Sequence, residues 1–264
     1  MRVFDSHVHI FPDQIAEKTV VMLGAEADIQ PTYDGSRAGL RRSMQAAGID
    51  GAMNCPIATK AEQVASINRW AVANNRWPVL SLGTMHPDAE HSAATLTQLK
   101  KDGLAGIKLH PEYQEFTMDD ERLRPIWSAC QTNGLVIVLH AGADIAFKPP
   151  YRSDPRSIRA VLEQFPDLDM VAAHFGSWRM WADVKRELIG RRVFLDLSFL
   201  FGELPDREIV DMIRAHDPER VLFATDAPWR DQKKDLNHFL ELPLTADEQA
   251  AILWQNAAAL FGFE

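Results

Sequence analysis

Eight short apolar runs recur along this chain at intervals that suit one kind of architecture. They fall at 3–11, 52–55, 79–83, 106–110, 136–140, 170–174, 194–198 and 221–226. Each is bounded by glycine or proline, and most lack a polar side of their own. That is the pattern of strands buried on both faces. Helical stretches lie between them. Ser36 opens one that ends at Gly48, and Asp119 leads into another that ends at Gly134, with Pro125 as an irregularity inside it. Asp154-Pro155 reads as an N-cap followed by proline at the first helical position. Residues 180–189 and 206–215 carry apolar positions at helical spacing, and Thr245-Ala246-Asp247-Glu248 is a capping box opening a last helix that runs toward Gly262.

Strands alternating with helices predict a parallel sheet with helices outside. At 264 residues the natural form is an α/β (β/α)₈ TIM barrel, a single domain over 1–264, with an open doubly wound sheet as the alternative. One connection is longer than the rest. Residues 11–35 hold Phe11-Pro12, an apolar stretch from Ile15 to Leu23, and Pro31. They predict an inserted loop and helix after the first strand, on the face where barrel active sites form, and thus a candidate lid.

Composition excludes several classes. The net charge is −9 with no long basic run, which argues against nucleic acid. Two cysteines, Cys55 and Cys130, make no disulfide framework and match no cysteine-based zinc motif. There is no signal-peptide pattern and no membrane-length apolar run, so the expectation is a cytoplasmic protein with a small-molecule substrate. Oligomeric state, homo-oligomer included, is left open by the sequence.

The strand ends carry the chemistry. His7-Val-His9 lies on one extended run, so Asp5, His7 and His9 are expected on one side. Two imidazoles cannot close a coordination sphere and need ligands from elsewhere. His110 closes the fourth run with Lys108 on the same face, His140 the fifth, His174 the sixth and Asp226 the eighth. In a barrel these ends gather around one mouth. Burying so many polar groups without a shared purpose would be costly, which points to a metal or a substrate. Cys55 has no partner at motif spacing and reads as a small buried apolar group.

This ordered set resembles the amidohydrolase superfamily, through His7-Val-His9, His140, His174 and Asp226. Gly-Ile-Lys-Leu-His-Pro at 106–111, Trp178-Arg-Met-Trp181, Thr225-Asp-Ala-Pro-Trp229 and the closing Asn256-Ala look like the branch containing aminocarboxymuconate-semialdehyde decarboxylase and many amidohydrolase-related hydrolases. Related TatD-type nucleases are less similar, since they carry Glu where this chain has Lys108. The resemblance implies one divalent metal, zinc first, held by His7, His9, His140 and Asp226. Asp226 would take a proton from water, and His174 would stabilise an oxyanion or act as general acid. Lys108 would be either a carboxylated bridge to a second metal, with His140 and His174, or an ammonium paired with substrate or Asp5. His110 would touch substrate or support a ligand.

Tyr113, Lys148, Arg152, Trp178, Arg179 and Trp229 follow predicted strands and are the expected substrate contacts. The basic ones suggest an anionic or carboxylated substrate, the aromatic ones an unsaturated or ring-bearing one. The leading expectation is a metal-dependent hydrolase of a small amide, lactone or ester. A non-oxidative decarboxylase or hydratase on the same scaffold, and a catalytically silent metal-binding protein, are the alternatives.

Overall fold

The computed structural model describes residues 1–264. Nine short parallel strands form the sheet: β1 (Phe4–Val8), β2 (Gly51–Asn54), β3 (Val79–Ser81), β4 (Gly83–Thr84), β5 (Gly106–Leu109), β6 (Val136–Leu139), β7 (Met170–Ala172), β8 (Phe194–Asp196) and β9 (Val221–Leu222). They make eight staves, because β3 and β4 are one run of sequence broken at Leu82. β3 pairs with β2 and β4 with β5, while the Leu82 amide still donates to the Asn54 carbonyl (3.0 Å). The break lets one stave serve both neighbours.

The chain beyond β9 closes the barrel against β1. Ser6 N donates to Phe223 O (2.9 Å), Asp226 N to His7 O (2.8 Å) and His9 N to Ala227 O (2.7 Å). The fold is therefore the (β/α)₈ TIM barrel that the alternation predicts. The strands stop earlier than the apolar runs suggest, so His110, His140, His174 and Asp226 stand in the turns just past them.

Eleven α-helices surround the sheet or extend its loops: α1 (Ala16–Ala27), α2 (Arg37–Ala47), α3 (Val64–Asn74), α4 (Ser92–Lys101), α5 (Arg124–Asn133), α6 (Pro155–Gln164), α7 (Trp181–Glu187), α8 (Asp206–His216), α9 (Gln232–Glu241), α10 (Ala246–Ala250) and α11 (Asn256–Phe261). Ser36, Asp154 and Thr245 cap α2, α6 and α10 with their side chains, as the sequence signals imply. Pro125 is no irregularity: it sits in the first turn of α5, where its missing N–H costs nothing. The last helix does carry a defect. Its middle, Ala251–Gln255, is a π-helical turn, and the Ile252 carbonyl accepts from Phe223 N at 2.9 Å. That contact helps tie the helix to the chain just past β9.

A large apolar core lies between sheet and helices. A smaller cluster joins Phe4, Met53, Leu82, Val138, Val171 and Leu222 to Ala257 and Phe261. Phe4 opens β1, so α11 covers the end of the barrel opposite the strand-end histidines. The insertion after β1 holds α1 and is tied back by Tyr33, whose hydroxyl donates to His9 O (2.8 Å) and Ala227 O (3.1 Å).

Candidate active site

The strand-end residues converge on one cavity of about 600 Å³. His7, His9, Lys108, His110, His140, His174 and Asp226 all line it. His9 Nε2 and His7 Nε2 approach Asp226 Oδ1 at 2.8 and 3.5 Å, and the three donor atoms form one compact group. His140 falls in an adjacent group with His110 and Asp144. His174 touches it, with Nε2 2.9 Å from His140 Nδ1.

Hydrogen-bond logic assigns the protons in this network. Asp196 ends β8 and accepts from His7 Nδ1 (3.0 Å) and from the Ser198 hydroxyl. Ser198 Oγ, having given its proton to Asp196, accepts from His174 Nδ1 (2.9 Å). His174 Nε2 then carries a lone pair and accepts from His140 Nδ1. That leaves His140 Nε2 as a bare lone pair, buried and without a hydrogen-bond partner. Asp226 Oδ1 is likewise buried without an aligned hydrogen bond. His7 Nε2 is unprotonated too, and Lys108 Nζ donates to it at 3.1 Å. Buried lone pairs on imidazole nitrogen and carboxylate oxygen are what a divalent cation requires, so these residues fit one.

The electrostatics follow from the same contacts. Burial pushes His7 down to about 4, Lys108's charge adding to the fall, against the pull of Asp226 and Asp196. Burial holds His110, His140 and His174 below the usual imidazole value as well. Burial would raise Asp196 and Asp226, but the attraction of the neighbouring imidazoles and, for Asp196, the hydrogen bonds from His7 and Ser198 outweigh it, and both carboxyls lie below their usual value. Burial lowers the Lys108 amine and raises the Cys55 thiol, which keeps the latter inert.

Backbone geometry sharpens the placement. His174 and Asp226 sit at φ +58° and +68°, a left-handed conformation that costs a non-glycine residue energy and clusters at functional sites. Gly142, two residues after His140, has φ +86°, and a Cβ there would lie 2.4 Å from Trp178 N. Only glycine lets the loop after β6 approach the one after β7 so closely.

Several expectations need correction. Asp5 does not share the face of His7 and His9. The β1 ladder is irregular between Asp5 and Val8, and the Asp5 carboxylate instead accepts from Thr225 Oγ1 (2.6 Å) and Gln232 Nε2 (2.8 Å). Burial pushes it up to about 7. Lys108 pairs with His7 rather than Asp5. Tyr113, Trp178 and Trp229 line the cavity, but Arg152, Arg179 and Lys148 do not. Arg152 is drawn to the buried Glu112 (3.6 Å), and Arg179 pairs with Glu203 (3.1 Å) while lying over the Trp178 ring. Both guanidiniums pair with carboxylates of the protein instead of lining the cavity. Lys108 is thus the one lysine or arginine on the wall.

Asp144, Asp196 and Ser198 were not among the sequence candidates. Asp196 had a readable signal, since it ends a strand as the other site residues do. Asp144 receives His110 Nε2 at 3.2 Å, so His110 orients a carboxylate beside His140.

The sequence matches the amidohydrolase family model over residues 4–263, and the chain belongs to that family of metal-dependent enzymes. Solved structures agree on the fold. An uncharacterised TIM-barrel protein of Bordetella bronchiseptica superposes with a TM-score of 0.78 at 20% identity, over 99% of both chains. The 5-carboxyvanillate decarboxylase of Novosphingobium aromaticivorans, complexed with manganese, gives 0.74 at 16% identity, over 99% of this chain and 96% of that one. A Pseudomonas putida protein provisionally named a 2-pyrone-4,6-dicarboxylic acid hydrolase gives 0.69 at 18% identity, over 100% and 98%. No curated protein matches the sequence. No helix is long and apolar enough to cross a membrane.

Proposed function

We propose that this protein is a metal-dependent decarboxylase of a small carboxylic acid. The observation that carries the reading is the pair of bare, buried lone pairs on His140 Nε2 and Asp226 Oδ1, beside His7 and His9 and facing a mostly apolar cavity. Loss of carbon dioxide turns a localised carboxylate charge into a neutral product, which apolar surroundings favour. The likeness to decarboxylases of carboxylated aromatics supports decarboxylation over the hydrolysis that the sequence put first.

His7, His9 and Asp226 would hold the ion together with His140 from the adjacent group, whose Nε2 is unpartnered; zinc suits the nitrogen-rich set and manganese is the precedent in a similar structure. Such an ion supplies Lewis-acid charge that draws electron density from the substrate. The remaining roles belong to the chain. Lys108, the cavity's lone amine, would pair with the carboxylate. The bond between that carboxylate and its carbon breaks, the electron pair stays on the carbon, and the carbon takes a proton. His174 would deliver it from Nε2 after taking up a proton there in place of the hydrogen bond from His140 Nδ1, with Ser198 and Asp196 behind Nδ1 supporting the imidazolium. Trp178, Trp229 and Tyr113 would keep water from the reacting carbon.

Hydrolysis of an amide, lactone or ester is the second reading, kept by the likeness to the Pseudomonas putida protein. The test is product analysis with metal-loaded protein on a panel of aromatic and heteroaromatic acids, esters and lactones. Carbon dioxide in the headspace, dependent on metal, is the expected result. A new carboxylate with released alcohol or amine, and no carbon dioxide, would replace the proposal with hydrolysis.

A further inference from the structure

The helix α1 has two apolar stripes, and only one of them packs on the protein. Ala16, Val20 and Gly24, four residues apart, are buried. A second stripe at 15, 19, 22, 23 and 27 is Ile15, Thr19, Met22, Leu23 and Ala27, and every one lines the catalytic cavity. Across from it stand Ile67 and Trp70 of α3. Seven large apolar side chains are exposed in the whole molecule: Met1, Ile15, Val21, Met22, Trp77, Ile145 and Leu240. Three of the seven, Ile15, Met22 and Ile145, line this one cavity. Leaving them in water forfeits burial energy unless something apolar covers them.

The cavity's charges point the same way. Lys108 is its one lysine or arginine, and it sits at the inner end beside His7. No guanidinium lines the outer part, and Arg152 and Arg179 pair instead with Glu112 and Glu203. A ligand carrying a second carboxylate would bury it there without a partner. At about 600 Å³ the space also exceeds what one small ring fills.

We infer that the gap between α1 and α3 is an apolar subsite, and that the substrate is a monocarboxylic acid with a hydrophobic tail of several carbons. The carboxylate lies at Lys108 and the histidines, and the tail runs outward between Met22, Leu23 and Trp70. This rests on the proposed carboxylic-acid chemistry and narrows its substrate class.

Equilibrium binding tests it without turnover. Titration calorimetry of the metal-loaded protein compares benzoate, 4-butylbenzoate and benzene-1,3-dicarboxylate. The butyl tail is expected to tighten binding about tenfold or more, as burial of its methylenes predicts. The dicarboxylate binds more weakly than 4-butylbenzoate. Met22→Glu removes most of the tail's gain, whereas Val21→Glu, one residue along but outside the cavity lining, preserves it. Equal affinity with and without the tail, tighter binding of the dicarboxylate, or no binding of any of the three overturns the subsite. A tail-dependent gain without carbon dioxide release from any acid leaves the subsite standing and removes the decarboxylase reading. Decarboxylation with no tail dependence does the reverse.

Discussion

At the level of single residues, the site is a chain of assigned protons ending in bare lone pairs. Asp196 anchors it twice, through His7 and through Ser198 to His174. Asp196→Asn keeps the shape but puts an amide where two donors expect a carboxylate. Metal affinity is expected to fall about 10–100-fold, read by titration with a competing chelator. His174 has its Nδ1 bonded to Ser198 and its Nε2 to His140, and so offers no free lone pair to an ion. His174→Asn should therefore retain metal while lowering kcat about 10²–10³-fold with little change in KM. Loss of metal in step with activity would make His174 a ligand instead. The site's legibility was uneven at this scale. His7, His9, Lys108, His110, His140, His174 and Asp226 were readable because strand ends in a barrel share one mouth. Arg152 and Arg179 misled because a sequence does not show that Glu112 and Glu203 hold them.

At the level of elements, the eight apolar runs foretold the staves, but not where each strand yields to its turn. The broken third stave and the π-helical turn answer to tertiary hydrogen bonds, Leu82 N to Asn54 O and Phe223 N to Ile252 O, and no local propensity encodes them. The irregularity in β1 is of the same kind, and it is why strict alternation misplaced Asp5. The insertion after β1 was visible as an overlong connection, and its attachment is specific. Tyr33 donates to the carbonyls of His9 and Ala227, which flank the two ends of the ligand set. Tyr33→Phe should cost about 1 kcal/mol of stability in a denaturant titration, since the acceptors lose a buried donor. An unchanged midpoint would show that the insertion is held by α1 packing alone.

At the level of the whole molecule, pH and metal act on the same groups. The folded protein buries His7, His110, His140 and His174 with lowered pKa values, while the unfolded chain protonates histidine near 6.5. Between those values the unfolded state binds more protons, so stability rises with pH there and is lost as pH falls below about 6.5. Asp5, raised to about 7, and Glu112 and Asp235, also raised, work in the opposite direction, but as three carboxyls against six imidazoles once the lowered His86 and His216 are included. Metal-free protein is therefore expected to show a lower Tm at pH 5 than at pH 7, and an unchanged Tm would contradict the buried, neutral imidazoles. The central claim is that strand ends scattered from His7 to Asp226 meet on one divalent ion. Elemental analysis of purified protein tests it most directly, alongside His7→Ala, His140→Ala and Asp226→Ala. The account predicts about one ion per chain in the parent and far less in each variant. Full metal content in all three variants would contradict it.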